Sequence, residues 1–509
     1  MLLIGVDLGT SAVKLLLMEE NGSICKIVSR EYPLEFPHPG WSQQNPEDWW
    51  KAVCDGIPEL LKGFDATQVR GIGVGGQMHG LVVLDENDRV IRPAILWNDG
   101  RAQKQVEMLN REIGRETLSR CTANIAFAGF TAPKLLWMKE NEPALFAKIR
   151  KIMLPKDYIN YQLTGVFSTD YSDASGMLLL DVEHRCWSGK MLEICGVSEQ
   201  QLPRLFESAE PVGTIRKPVA RALGLPEDVV ICAGAGDNAA AAVGCGAVGN
   251  GKCNISLGTS GTVFITSDRF GVDLANALHS FAHADGGYHL MGCILSAASC
   301  SRWWMEEILK TGNFAGEESQ IAPERLGEND VYFLPYLMGE RSPHNDPAAC
   351  GAFVGMRMDT GRADLTQAVL EGVAFAIRDC VGIARSQGIV LQTSTLCGGG
   401  AKSRLWRTIL PNVLGITLQL PQTEQGPGYG AAMLAAVACG AFTDVRTCAA
   451  ALVQIREEIV PEPQLVEKYM ERYERWRRIY PALMPLTRLP GKAETPQGMN
   501  AIQIRLKGC

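Results

Sequence analysis

From Met1 to about Ser29 the apolar positions fall into strand, turn, strand, turn, strand, with Glu20-Asn21-Gly22-Ser23 supplying the second turn from residues that tolerate positive φ. This predicts an antiparallel meander. Asn45-Pro46-Glu47-Asp48-Trp49-Trp50 then reads as a helix start, because asparagine caps, proline fits the first turn and acids favour the positive end of the helix dipole. Helix and strand alternate from there. Val229 to Ala233 reads as a buried strand that enters a helix at Asp237 to Ala242 through Gly234-Ala235-Gly236. The glycine-rich stretch from Gly244 to Gly251 marks the candidate domain boundary. Beyond a second meander, helices are expected at Ser299 to Leu309, Leu365 to Arg385, Ala431 to Ala438 and, charged and amphipathic, Leu465 to Tyr480. After Pro485 the residues turn polar and predict a flexible tail.

The two meanders share a signature. Leu8-Gly9-Thr10-Ser11 recurs as Leu257-Gly258-Thr259-Ser260, an offset of 249 (257 minus 8) in a chain of 509 residues, each time between apolar runs. The chain therefore reads as two related halves, each presenting a Gly-Thr-Ser turn, an arrangement suited to a nucleotide held between two domains.

Composition narrows the class. With 46% hydrophobic and 21% charged residues the chain can bury large cores, and a net charge of −7 without a Lys/Arg cluster implies neither nucleic acid nor membrane as partner. Asp7 interrupts the opening apolar run, so a cytoplasmic protein is expected. The 16 cysteines contain no C-x-x-C pair and read as reduced, mostly buried thiols.

Asp7 to Ser11 sets a carboxylate and two hydroxyls at a tight turn where glycine lets backbone N–H groups approach a ligand, which suits phosphates with a magnesium ion. A plain hairpin turn would use the same residues, and the repeat favours the ligand-facing reading. A third cluster, Gly398-Gly399-Gly400-Ala401-Lys402-Ser403, follows a strand-like run and leads into a helix, where its amides could face a phosphate or adenine or simply allow close packing. No G-x-x-x-x-G-K-[ST] sequence occurs. Gly71 to Gly76 and Gly234 to Ala239 mimic a dinucleotide fingerprint, but the first leads to a strand and the second lacks the distal acid, so a dehydrogenase is a distant alternative. Asp237 sits where a strand delivers the chain to a helix N-terminus. That address suits either a general base kept ionised by the helix dipole or an ordinary N-cap. Gln77-Met78-His79-Gly80 and Trp97-Asn98-Asp99-Gly100-Arg101 gather the amide, imidazole, carboxylate and guanidinium groups that polyol sites use, beside an aromatic ring. His279 and His283 have half a zinc spacing without the intervening acid, and no metal site is read there.

The chain is similar to the FGGY carbohydrate kinases over about residues 1 to 485. Gly129 to Asn141 fits the first signature of that family, and Gly351 to Met356 continuing to Glu371 fits the second. Gln77 to Gly80, Pro93 to Arg101, Leu154 to Tyr158 and Gly339 to Asn345 resemble the members that act on D-xylulose. The resemblance implies an α/β fold of two actin-like, ribonuclease-H-like domains with ATP in the cleft: residues 1–248 for the sugar, phosphate turn and catalytic aspartate, 249–485 for nucleotide, and a tail at 486–509. It implies ATP-dependent phosphorylation of O5 of D-xylulose, with Asp237 as base and Asp7 near magnesium and phosphate, both as metal ligands. Gln77, Met78, His79, Asn98, Asp99 and Asn238 are the expected sugar contacts. Thr10, Ser11, Gly258, Thr259, Gly399 and Gly400 are the expected nucleotide contacts. Expected partners are the sugar and ATP, and a homodimer is compatible with this reading. Another ketose or polyol as acceptor, or an actin-like nucleotide switch without kinase activity, are the alternatives. Gly234-Ala235-Gly236 departs from the three glycines frequent in the family and is tolerable unless φ is positive at Ala235.

Overall fold

The computed structural model describes residues 1–273 and 275–487. Two seven-stranded sheets organise it. The first contains β1 (Leu2–Leu8), β2 (Ala12–Glu19), β3 (Ile24–Glu31), β4 (Val69–Gly76), β5 (Pro211–Thr214), β6 (Val230–Cys232) and β7 (Ala235–Gly236). Their order is β5-β6-β4-β1-β2-β3, with β7 pairing β4. The second contains β8 (Cys253–Leu257), β9 (Gly261–Ser267), β10 (His279–Ala282), β11 (Tyr288–Ile294), β12 (Thr393–Cys397), β13 (Thr417–Pro421) and β14 (Ile455–Ile459). Their order is β10-β11-β9-β8-β12-β13-β14.

The two sheets repeat one plan. In each, an antiparallel meander ends on a strand (β1 or β8) that pairs in parallel with the next (β4 or β12), then a further parallel strand, then an antiparallel edge. The repeated Leu-Gly-Thr-Ser turn is thus the visible remnant of a duplicated sheet. The strands are buried on both faces where helices cover them, which explains runs such as Leu2-Leu3-Ile4 with little alternation.

Helix α1 (Pro46–Leu60) starts as its sequence dictates, the Asn45 side chain accepting from the Glu47 N–H. Helix α2 (Asp237–Gly244) follows β7, α3 (Arg362–Ser386) spans the second half, and α4 (Arg404–Leu414) follows the glycine cluster. Helix α5 (Gly426–Ala438) belongs to the second half in sequence but lies on the first sheet. Its glycines and alanines make that possible. A Cβ at Gly5 would stand 1.9 Å from the Gly428 carbonyl oxygen, one at Gly73 2.0 Å from that of Ala431, and one at Gly430 1.8 Å from that of Ala240. Backbone meets backbone along this seam, so α5 holds β1, β4 and α2 as one packed unit.

Two expectations are refined. The segment Ser299 to Leu309 forms a short helix, Ala298–Arg302, that widens into a π-type turn over Trp303–Ile308. The amphipathic helix divides into α6 (Pro463–Trp476) and α7 (Ile479–Thr487), so the first two residues of the expected tail complete a helix and the rest, 488–509, lies outside the described residues. Among the described residues no helix is long and apolar enough to cross a membrane.

Candidate active site

The register of the first sheet brings the predicted catalytic groups to one edge. β1 and β7 both run parallel to β4, with Asp7 and Ala235 opposite Gly75, and Leu8 and Gly236 opposite Gly76. Asp7, Gln77-Met78-His79 and Asp237 therefore leave the sheet at neighbouring strand ends, where open α/β sheets place their ligands. Gly234 has φ +77°, and a Cβ there would fall 2.0 Å from the Val74 carbonyl oxygen, so glycine is required. Ala235 is not among the positive-φ residues and its methyl is buried, which is why the departure from three glycines is tolerated.

Asp237 opens α2. Its Oδ1 accepts from the Asn238 N–H at 2.7 Å and from Asn238 Nδ2 at 2.9 Å, and Oδ2 has no protein partner. Sequence reasoning expected the helix dipole to keep this carboxyl fully ionised. Instead burial, then the charge of Asp7, push it up to about 7. Desolvation outweighs one short helix end. Asp7 is itself pushed up to about 6 by burial, with Lys14 pulling it back. The charge of Asp7 thus raises the proton affinity of Asp237, a strain that a bound cation would relieve.

Beneath Asp237 lies a buried charge cluster, of which the sequence reading singled out only Leu154 to Tyr158, the segment that carries Lys156 and Asp157. Lys156 Nζ stands 2.6 Å from Asp157 Oδ1, 2.9 Å from Asp170 Oδ1 and 3.9 Å from Asp173 Oδ2, all fully buried. Asp170 Oδ2 accepts from Ser172 Oγ at 2.5 Å and from Ser208 Oγ at 2.7 Å, and Ser172 Oγ accepts from the Gly236 N–H at 3.3 Å. Burial holds the Asp173 carboxyl well above the usual carboxylate range, with Lys156 pulling it back. The backbone just before Asp237 is tied to this cluster. Asp170, Ser172, Asp173 and Ser208, which complete it from two other stretches of chain, carried no local signal.

Met78 and His79 flank Asp237 on the other side. Met78 lies against Gly236 and receives a contact from Asn238 Nδ2 at 3.8 Å from its sulfur. His79 has φ 70°, and its Nδ1 is 2.8 Å from the Gly176 carbonyl oxygen. A carbonyl only accepts, so Nδ1 carries the hydrogen and Nε2 is an acceptor. Burial, with the nearby charges of Lys134 and Arg341, lowers this imidazole to about 3, and it stays neutral.

Three expected sugar contacts need correction or qualification. Asp99 is buried and its carboxylate is committed: Oδ2 accepts from the Ser42 N–H at 2.6 Å and pairs with Arg101 Nη2 at 2.8 Å, while Oδ1 takes the Arg101 N–H and Nε. Arg101 in turn stacks 3.9 Å from the Trp41 ring centroid. Asp99 builds the loop rather than facing a ligand. Gln77, the first residue after β4, is buried: its Nε2 donates to Gln44 Oε1 at 3.1 Å, while its Oε1 has no hydrogen-bond partner among the described residues. Asn98 is exposed beside Trp97, away from these contacts.

The first Gly-Thr-Ser turn is braced from outside. Trp97 Nε1 donates to Thr10 Oγ1 at 2.9 Å, Gln44 Nε2 donates to the Thr10 carbonyl at 2.6 Å, and the Tyr32 hydroxyl donates to the Gly9 carbonyl. Ser11 is exposed. In the second turn the Thr259 carbonyl accepts from Ser299 Oγ at 2.7 Å. Gly258 and Thr259 line a cavity of ≈ 910 Å³ together with Gly399 and Gly400, so two segments singled out separately in the sequence meet at one site. That volume suits a nucleotide. Lys402 and Ser403 of the same glycine-rich segment also line it, Ser403 capping α4 by accepting from the Trp406 N–H, whereas Ala298, Arg302, Phe314, Glu318 and Arg404 were not anticipated.

Comparison with known proteins agrees with this arrangement. Residues 2–244 match the N-terminal domain of the FGGY family of carbohydrate kinases, and residues 253–439 match its C-terminal domain. The chain is 41% identical to the xylulose kinase of Escherichia coli strain K12, covering 95% of this chain and 99% of that protein. It is 36% identical to that of Bacillus subtilis strain 168, with 94% and 96% covered. Among solved structures it is similar to a xyloylose kinase from Brucella ovis (TM-score 0.91, 40% identity, 96% and 100% covered). It is also similar to a gluconate kinase from Lactobacillus acidophilus (TM-score 0.90, 26% identity, 95% and 98% covered). The chain belongs to the FGGY family of carbohydrate kinases.

Proposed function

We propose that this chain transfers the γ-phosphoryl group of ATP to the O5 hydroxyl of D-xylulose, giving D-xylulose 5-phosphate. The reading rests on relatives named xylulose kinase that align over nearly the whole chain. The observation that carries the chemistry is Asp237, a carboxyl pushed up to about 7 with one oxygen free, beside Asp7 and the Met78-His79 pair. A base poised near neutral pH is the tuning that general-base catalysis asks for. Oδ2 of Asp237 orients the sugar hydroxyl and accepts its proton as the phosphoryl group arrives, while Oδ1 stays anchored on Asn238. The transition state is loose, so positioning and charge supply most of the rate.

Asp7 and Asp237 offer hard oxygen donors for Mg²⁺, which takes one or two carboxylates alongside substrate phosphates and, when bound, neutralises charge on the β- and γ-phosphoryl oxygens. Residues 1–248 would hold the sugar and the base, and 249–485 the nucleotide. Thr10 and Ser11 approach the transferring phosphate, and Gly258, Thr259, Gly399 and Gly400 the rest of the nucleotide. ATP as donor sets the cytoplasm as the working compartment.

The test is ADP release with ATP and magnesium across D-xylulose, D-ribulose, L-ribulose, L-xylulose, glycerol and gluconate. D-xylulose should give the highest kcat/KM. Preference for another acceptor would keep the phosphoryl-transfer chemistry and reassign the sugar, and no stimulation by any of them would leave a nucleotide switch.

A further inference from the structure

The Gly339 to Asn345 segment has no part in the chemistry above, yet it delivers a cation to the sugar end of the site. Its loop is pinned to the second domain: the Ser342 N–H donates to the Cys293 carbonyl at 3.0 Å, Ser342 Oγ donates to the Ala277 carbonyl at 2.7 Å, and Asn345 Nδ2 donates to that of Asn276 at 3.0 Å. From this base the half-buried Arg341 guanidinium lies 5.2 Å from the Phe127 ring centroid. Phe127 packs against Phe130 at 5.6 Å, and Phe130 against His79 at 4.8 Å. His279 and Phe281 of β10 complete this aromatic group, which joins the two halves around His79.

Two properties of Arg341 call for a ligand. Among the described residues no carboxylate forms an ion pair with it; the adjacent Glu340 carboxyl accepts from the Leu295 and Arg341 N–H groups instead and is pushed up to about 8 by burial. The guanidinium also reaches the Cys293 side chain; half-buried on an aromatic ring and without an ion-pair partner, it has further donors to offer at little desolvation cost. The second property is complementarity with its neighbour. His79 Nε2 can only accept, and Arg341 can only donate. Joined through Phe127 and Phe130, and near enough that the Arg341 charge lowers the His79 imidazole, they match two ligand groups of which one must carry a hydrogen and the other need not.

We propose that Arg341 reads the ketone of the acceptor sugar, donating to its carbonyl oxygen while His79 Nε2 accepts from the neighbouring hydroxyl. The inference rests on the sugar-kinase reading and sharpens it: the recognised feature is an α-hydroxyketone. The hydroxyl to be phosphorylated then lies at the opposite end of a five-carbon chain, with Met78 spanning the interval to Asp237. A polyol presents a hydroxyl in place of the carbonyl and loses the advantage of an acceptor-only group.

Calorimetric titration of D-xylulose and of xylitol, without nucleotide, into the wild type, Arg341→Ala and Arg341→Lys tests this. Loss of a hydrogen bond to a charged donor predicts D-xylulose affinity weaker by about 10- to 100-fold in Arg341→Ala, partly restored in Arg341→Lys, with xylitol changing by less than about threefold. Melting temperatures of the three proteins should agree. Parallel losses for both ligands, or no loss for D-xylulose, would overturn the role of Arg341. A wild type that neither binds nor phosphorylates D-xylulose would instead remove the substrate assignment on which it rests.

Discussion

Replacing Asp237 by asparagine should make the protein more stable and nearly inactive, and the gain should depend on pH in a definite direction. The folded carboxyl is raised from 3.8 to about 7, chiefly by burial and then by Asp7, so about three pH units separate it from its unfolded value. At about 1.4 kcal/mol per unit the ionised form is disfavoured in the fold by about 4 kcal/mol, an upper figure because the carboxyl is only half-buried. The sign follows from proton counting. Between pH 4 and 7 the native state holds a proton that the unfolded chain has lost, so stability falls as pH rises through that window. Below pH 4 both states are protonated and no penalty exists; above 7 it is complete. Asparagine keeps the shape and the Asn238 bonds to its oxygen but never ionises. Urea unfolding in magnesium-free, nucleotide-free buffer should therefore give Asp237→Asn the same stability as wild type near pH 4, and an advantage of about 2–4 kcal/mol at pH 8. Turnover should drop by at least about 100-fold. A stability difference that stays constant from pH 4 to 8 would refute a buried Asp237 carboxyl raised by desolvation and by Asp7.

Asp7→Asn removes the second cause of the high Asp237 value, so the acid limb of the kcat/KM profile should move to lower pH, and a limb that stays in place would assign it to another group. Asp99→Ala strands a buried Arg101 and should cost about 3–5 kcal/mol in urea unfolding while leaving the KM for the sugar unchanged; a selective rise in that KM would return Asp99 to the site. Gly430→Ala forces a methyl into the Ala240 carbonyl, 1.8 Å from it, and should destabilise by about 1–3 kcal/mol or more, measured the same way. Ser403→Ala should cost about 1 kcal/mol through the lost cap of α4 and raise the KM for ATP, since Ser403 lines the nucleotide-sized cavity.

What the sequence disclosed followed from local rules. The first meander, the Asn45 cap, the strand into Asp237 and the helix at the family signature are set by residues within a few positions of one another, and all are present. The repeat of Leu-Gly-Thr-Ser exposed a duplicated sheet because both copies kept the same turn. What stayed hidden depended on long-range packing. Asp99 and Gln77 sit in segments that look ligand-facing, and only the fold shows that Arg101 and the Ser42 N–H take the Asp99 carboxylate and that Gln44 takes the Gln77 amide nitrogen. The Lys156 cluster and the far walls of the nucleotide cavity come from distant positions that no spacing links. The strength of the Asp237 shift was misjudged for a related reason, since desolvation is a property of the enclosing structure and not of the helix end that bears the residue.

The duplicated plan also explains why one half can do the chemistry. Asp7-Leu8-Gly9-Thr10 in the first copy corresponds to Ser256-Leu257-Gly258-Thr259 in the second, so the carboxylate at the strand end exists once. The neighbouring parallel strand ends in Gly76-Gln77-Met78-His79 in the first sheet and in Cys397-Gly398-Gly399-Gly400 in the second. Identical scaffolds thus carry opposite edges: one charged and lined by side chains, the other reduced to backbone that a phosphate or adenine can approach closely. Helix α5 joins them, because it belongs to the second half in sequence yet lies on the first sheet, where Gly5, Gly73 and Gly430 leave no room for a methyl and Gly430 meets the backbone of α2, which bears Asp237. Asp7 and Asp237 are thus carried on a strand and a helix that both pack, largely backbone to backbone, against the same helix of the second half.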